Sequence, residues 1–149
     1  MTAITREIAY APIKVTFMQS DAAVSQTNVA LTVAEVRDAA AAVDDQNAVS
    51  QVAIPFPFDI VAISASASAA RTAGTLTVEP SINGTGSGFS ASIDATNTQW
   101  VTAKQPRGSD RGVAGDRVGC VITTTAAWAP ATADVCVEVW IVPSSLDGI

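Results

Sequence analysis

From Asp59 onward the chain keeps returning to a two-residue rhythm of small side chains. Asp59 to Ser68 alternates, with Val61, Ile63, Ala65 and Ala67 on one side and Ala62, Ser64, Ser66 and Ser68 on the other. Thr75 to Ile82 repeats the pattern with Leu76, Val78 and Ile82 inward, and Phe89 to Ile93 does so with Phe89, Ala91 and Ile93. Arg117 to Thr125 groups Val118, Cys120 and Ile122, and Asp134 to Val142 groups Val135, Val137, Val139 and Ile141. A period of two is the spacing of a strand with one face buried, whereas an amphipathic helix needs a period of about 3.6. Several short runs of this kind, separated by turn residues, predict an all-β, antiparallel β-sandwich or jelly roll.

Turn chemistry fixes some of the connections. Asn83-Gly84 opens a glycine-rich stretch to Gly88, so the strands on either side are expected to form a hairpin. The polar stretch Asp94 to Asp116 reads as a long surface loop interrupted by one strand near Trp100 to Ala103. Arg117 to Thr125 and Asp134 to Val142 read as a final antiparallel pair. With both apolar sets facing inward, Cys120 and Cys136 then fall on opposite faces and cannot meet in disulfide geometry, so two free thiols are expected.

The first 55 residues differ. Ile13 to Phe17 and Asn28 to Val33 alternate as strands do, the second with Val29, Leu31 and Val33 on one side. Ala34 to Asn47 is the one helical candidate: Ala39 to Ala42 favour helix, and Val36, Ala39, Ala40 and Val43 recur at helical spacing. Ile54-Pro-Phe-Pro-Phe58 then forces extended geometry. The division expected is an N-terminal arm or packing segment over 1–55, carrying a short helix, and a sandwich domain over 56–149.

Composition narrows the function. Histidine is absent, which removes Ser-His-Asp and Cys-His catalysis and every His-ligated metal site. Fourteen acids against eight bases give a net charge of -6, the wrong sign for gripping nucleic-acid phosphates or an anionic membrane. No signal peptide or spanning helix is read, so synthesis in a cytoplasm is expected. Gly84 to Gly88 lacks the lysine and the helix of a phosphate cradle. Asp38, Asp44 and Asp45 lack calcium-loop spacing. Asp110, Arg111, Asp116 and Arg117 read as a mixed-charge surface loop rather than the carboxylate pair of a glycosidase. The expectation is no enzyme, no catalytic residue, no cofactor and no metal.

The aromatic residues then become the candidates. On the last strand Cys136, Glu138, Trp140 and Val142 face away from the core, and a Trp there needs cover, from the N-terminal segment or from a partner. Trp140, Glu138 and Val142, with Phe56 and Phe58 from the proline-punctuated segment, are the candidate interface. Trp100 and Trp128 flank loops and read as plugs at the rim of the core or, alternatively, as loop contacts to a ligand.

One resemblance is carried by particular stretches. Ala73-Gly-Thr-Leu-Thr-Val-Glu79, Ile82-Asn-Gly84, Ser92-Ile-Asp-Ala-Thr-Asn-Thr-Gln99, Val113-Ala-Gly-Asp-Arg-Val-Gly119, Thr123-Thr124 and Trp128-Ala-Pro-Ala-Thr-Ala-Asp134, followed by alternating valines, resemble small β-sandwich domains of tailed-bacteriophage virion proteins. These are capsid decoration (cement) proteins and head or tail fibres. The likeness spans roughly residues 58–142. It implies a non-enzymatic, commonly trimeric protein of the virion, whose partners are the major capsid protein and further copies of itself. The other expectation is a fibre or receptor-binding module that stacks Trp100 and Trp128 on host-surface glycan.

Overall fold

The computed structural model describes residues 11–33 and 49–144. The helical candidate Ala34 to Asn47, with Asp38, Asp44 and Asp45, lies outside the described residues. Within them the chain forms β1 (Ile13–Gln19), β2 (Val29–Ala30), β3 (Gln51–Ala53), β4 (Phe58–Ala67), β5 (Leu76–Ile82), β6 (Thr85–Gly86), β7 (Ala91–Ile93), β8 (Trp100–Lys104), β9 (Asp110–Gly112), β10 (Arg117–Thr124) and β11 (Val135–Pro143). All pairings are antiparallel.

Two sheets result. The first runs β1-β11-β4-β8, with β9 extending β8's edge along β4; the second runs β2-β10-β5-β6, with β3 beside β2 on β10 and β7 beside β6 on β5. The pairings nest: the first strand bonds the last, β2 and β3 bond β10, β4 bonds β8, and β5 bonds β6 and β7. A long antiparallel ribbon wound around itself so that alternate strands enter opposite sheets has this order, which is the jelly roll.

The alternation decides what fills the space between the sheets. Val135, Val137, Val139 and Ile141 of the first sheet meet Leu76, Val78, Val118 and Ile122 of the second, all at 1% exposure or less. Phe17, Leu31, Phe58 and Trp128 add bulk to a core built mostly from β-branched residues and alanine. The turn at Asn83-Gly84 holds both residues at positive φ, 52° and 82°. That is the geometry a two-residue hairpin needs to match strand twist, and it places β6 and then β7 back along β5.

Four expectations are corrected. β10 and β11 do not pair; they lie in different sheets, and the segment joining them crosses from one sheet to the other. Cys120 and Cys136 are free, but because they belong to separate sheets rather than to opposite faces of one. The proline segment does not separate an arm from a sandwich: β1 bonds β11 at seven positions, and β2 and β3 complete the edge of the second sheet. Lastly, Val61 does not face the core. The pairing passes from Trp140 opposite Ala62 to Ile141 opposite Ile60, so Val61 is the extra residue of a bulge. The core-facing parity of β4 therefore switches from Ile63, Ala65 and Ala67 to Phe58 and Ile60.

Candidate functional site

The outward side chains of the first sheet stand in rows across its four main strands. Met18, Cys136, Ser66 and Trp100 form one row, Thr16, Glu138, Ser64 and Thr102 the next, and Lys14, Trp140, Ala62 and Lys104 the third. Beyond the bulge, Val142 lies opposite Asp59 and Asp59 opposite Arg111. The centre of this face, on β4, is Ala62, Ser64 and Ser66, so it is shallow in the middle, with larger groups on either side.

In the first row, two small residues separate two large apolar ones. Trp100 is 69% exposed and Met18 41% exposed. Cys136 is half-buried, and burial, with the Glu138 carboxylate nearby, raises its thiol pKa. In the second row, Lys14 from the adjoining row forms an ion pair with Glu138, which also accepts from Ser64 Oγ at 3.4 Å. The hydrogen bond that Lys14 donates to Glu138 and the attraction of that carboxylate raise the Lys14 pKa, so the lysine keeps its proton. The third row ends in a trough of about 730 Å³, with Trp140 and Val142 on one wall and Lys104 and Arg107 on the other.

Asp59, missed in the sequence reading, organises that end of the sheet. It is fully buried and accepts from Arg111 Nε at 3.0 Å and Arg107 Nε at 3.4 Å. Arg107 also donates through Nη2 to the Pro143 carbonyl at 2.9 Å, tying the loop after β8 to the end of β11. Gln105 Nε2 reaches Asp110 at 2.7 Å and the Ile60 carbonyl at 2.9 Å. A buried carboxylate needs such donors because ionised oxygens lose their water. The signal in the sequence was an acid between Phe58 and Ile60 with two arginines on a later loop. The loop acids serve turns: Asp94 accepts from the Asn97 and Thr96 amides, and Asp116 from Asn83 Nδ2 and the Val113 amide. These bonds hold both carboxyls below the ordinary aspartate range.

The aromatic candidates separate. Phe58 is fully buried in the core and is not an interface residue. Phe56 packs half-buried against the core and lines a second groove of about 510 Å³ with Ile13, Val33 and Val52. Trp128 is 1% exposed and donates Nε1–H to the Ala22 carbonyl at 2.9 Å, so it closes one end of the sandwich and offers no ring to a ligand. Gly74, at φ 70°, lets the backbone at Ala127 and Trp128 pass close by: a Cβ there would fall 2.3 Å from the Trp128 backbone nitrogen. Trp100 is the reverse, an exposed ring at a sheet edge and not a core plug. Trp140, Glu138 and Val142 share the outer face, half-buried, as expected.

No family model and no curated protein matches the chain. Among solved structures, a chain of the acidic stable capsid structure of Helicobacter pylori bacteriophage KHP30 is similar over 93% of this chain and 92% of its own length, at 11% identity and a TM-score of 0.49.

Proposed function

We propose that the chain is a non-enzymatic structural protein of a phage particle: a decoration protein that self-associates as a trimer and binds the major capsid protein on the head surface. The observation that carries the reading is the row Met18–Cys136–Ser66–Trp100, which spans the first sheet from edge to edge. Small side chains between two large exposed apolar ones make a flat surface with little rotamer entropy to lose on contact. Covering the exposed part of Trp100 removes on the order of 140 Å² from water, or roughly 3 kcal/mol per copy. Repeated by symmetry, that is enough to hold neighbours without any deep hot-spot pocket. The resemblance of the strand-and-turn pattern to virion β-sandwich domains points the same way.

The test uses purified protein and heads of the parent phage that lack it. Light scattering is expected to give three times the 15.2 kDa chain mass, and added protein is expected to bind heads and raise their resistance to heat. Trp100→Ala, folded, should lose both properties. A monomer that does not bind heads at saturating concentration refutes the proposal. The glycan-binding reading now rests on Trp100 alone; glycan-array binding that Trp100→Ala abolishes while head binding persists would replace the decoration reading.

A further inference from the structure

β8 (Trp100–Lys104) is the last strand of the first sheet, and among the described strands it pairs with β4 alone. The Ala67 amide donates to the Gln99 carbonyl and the Gln105 amide to the Val61 carbonyl. By alternation, Gln99, Val101, Ala103 and Gln105 turn their backbone groups toward β4. Trp100, Thr102 and Lys104 therefore turn theirs off the sheet, where no described residue bonds them. Their side chains are exposed as well. An open edge of this kind is a template for another strand; natural sheets guard it with bulges, prolines and lysines, and of these β8 carries only Lys104.

We propose that β8 pairs antiparallel with β8 of a second copy, Thr102 opposite Thr102 and Trp100 opposite Lys104, so that two first sheets join edge to edge. Each opposed pair exchanges two N–H···O bonds, which satisfies every open backbone group of Trp100, Thr102 and Lys104. The side chains agree with that register. Each Lys104 lies beside the other copy's Trp100, where its stem packs on the ring and its charge meets the ring's negative face, and no like charges stand opposite. Sliding the pair by one step sets Trp100 against Pro106, which lacks an N–H, or Lys104 against Thr98, whose carbonyl already accepts from the Arg71 amide. The two-fold axis of such a pair stands perpendicular to the sheet, so both outer faces point the same way and lie on one surface. The contact is short, five residues a side, and too small to hold free copies together in dilute solution. It acts where copies are already neighbours, at an effective concentration of about millimolar. It therefore goes beyond the decoration reading and leaves the mass expected of the dilute protein unchanged.

Disulfide trapping tests the register. Opposed residues of a bonded pair lie about 5.5 Å apart at Cα, within disulfide reach. The background is Cys136→Ser, with Cys120 buried. Thr102→Cys protein, oxidised at millimolar concentration, is expected to form roughly tenfold more disulfide dimer than Val113→Cys, an exposed position outside β8. A mixture of Trp100→Cys and Lys104→Cys chains should give the mixed dimer in preference to either homodimer, which keeps the test decisive if the first variant does not fold. Equal yields at Thr102 and Val113 overturn the proposal. Homodimers of Lys104→Cys or of Trp100→Cys in excess of the mixed dimer also overturn it, because the strands then meet in another register. No heads enter either assay, so this contact and head binding can fail separately.

Discussion

Replacing Trp128 is the sharpest test of how the sandwich is closed. The ring is 1% exposed and its Nε1–H is bonded to the Ala22 carbonyl. Trp128→Ala removes the ring and leaves a cavity, which costs about 3–5 kcal/mol. For a domain of this size that lowers Tm by roughly 10 °C or more. Trp128→Phe keeps most of the apolar volume but strands the carbonyl of Ala22, itself fully buried, for about 1–2 kcal/mol. Urea denaturation is the assay, with an unchanged m-value required so that the midpoint shift can be read as stability. Trp100→Ala, at an exposed edge, should stay within about 0.5 kcal/mol of the parent. Stability equal to the parent's in Trp128→Phe and Trp128→Ala, coupled with loss of a ligand, would mean that the ring works at the surface and that the closure argument is wrong.

Other consequences follow from charges and thiols. Intact mass under non-reducing conditions should show both thiols free; Cys136 should alkylate slowly at pH 8, and Cys120, whose thiol burial pushes up to about 12, only after unfolding. Asp59→Asn removes the charge that two arginines share. Because both arginines are half-exposed or more and can turn to water, the cost should be about 1–3 kcal/mol by urea midpoint rather than that of a sealed ion pair. The turn hydrogen bonds hold the folded pKa values of Asp94 and Asp116 below the ordinary aspartate value, so their contribution is full above that value and is lost as pH falls through the lower folded values. Asp94→Asn with Asp116→Asn should therefore flatten the acid limb of stability measured between pH 5 and pH 2.

Strand positions and inward faces were legible because alternation is local. Val135 to Ile141 and Val118 to Ile122 needed no knowledge of their partners to be placed in the core. Asn83-Gly84 was legible for the same reason, since its turn geometry is intrinsic to those two residues. Pairing was not. Adjacent strands usually pair, which made β10 and β11 look like a hairpin, but a nested ribbon sends consecutive strands to opposite sheets, and that is decided by β1 bonding β11 across the whole chain. The exchange of roles between Trp100 and Trp128 has the same origin: both flank loops in sequence, and only the crossing segment between sheets carries its ring over the end of the core. Among the candidate residues, Trp140, Glu138 and Val142 were recoverable from parity alone. Phe58 was misplaced because parity on β4 changes at Val61.

That bulge divides the outer face into two halves of different character. Above it, β4 presents Ala62, Ser64 and Ser66 in strict alternation, which keeps the face flat enough for Trp100 and Met18 to stand out. Below it the parity switch turns Asp59 away from the core on the same side as Val142, where Phe58 or Ile60 would otherwise have been exposed. A carboxylate in that position recruits Arg107 and Arg111, and their loop raises a basic wall beside Trp140. One inserted residue thus accounts for both a flat apolar row and a walled trough on a single sheet. Deleting Val61 should remove the bulge while leaving Ile60 and Phe58 inward and Asp59 outward, since those residues keep their partners on β11, so the domain should stay folded, as it should with substitutions of Val61 that preserve chain length. Circular dichroism melts of the deletion and of Val61→Thr check this: both should unfold cooperatively, and a deletion variant that does not fold would show that Val61 is not a spare residue of the strand.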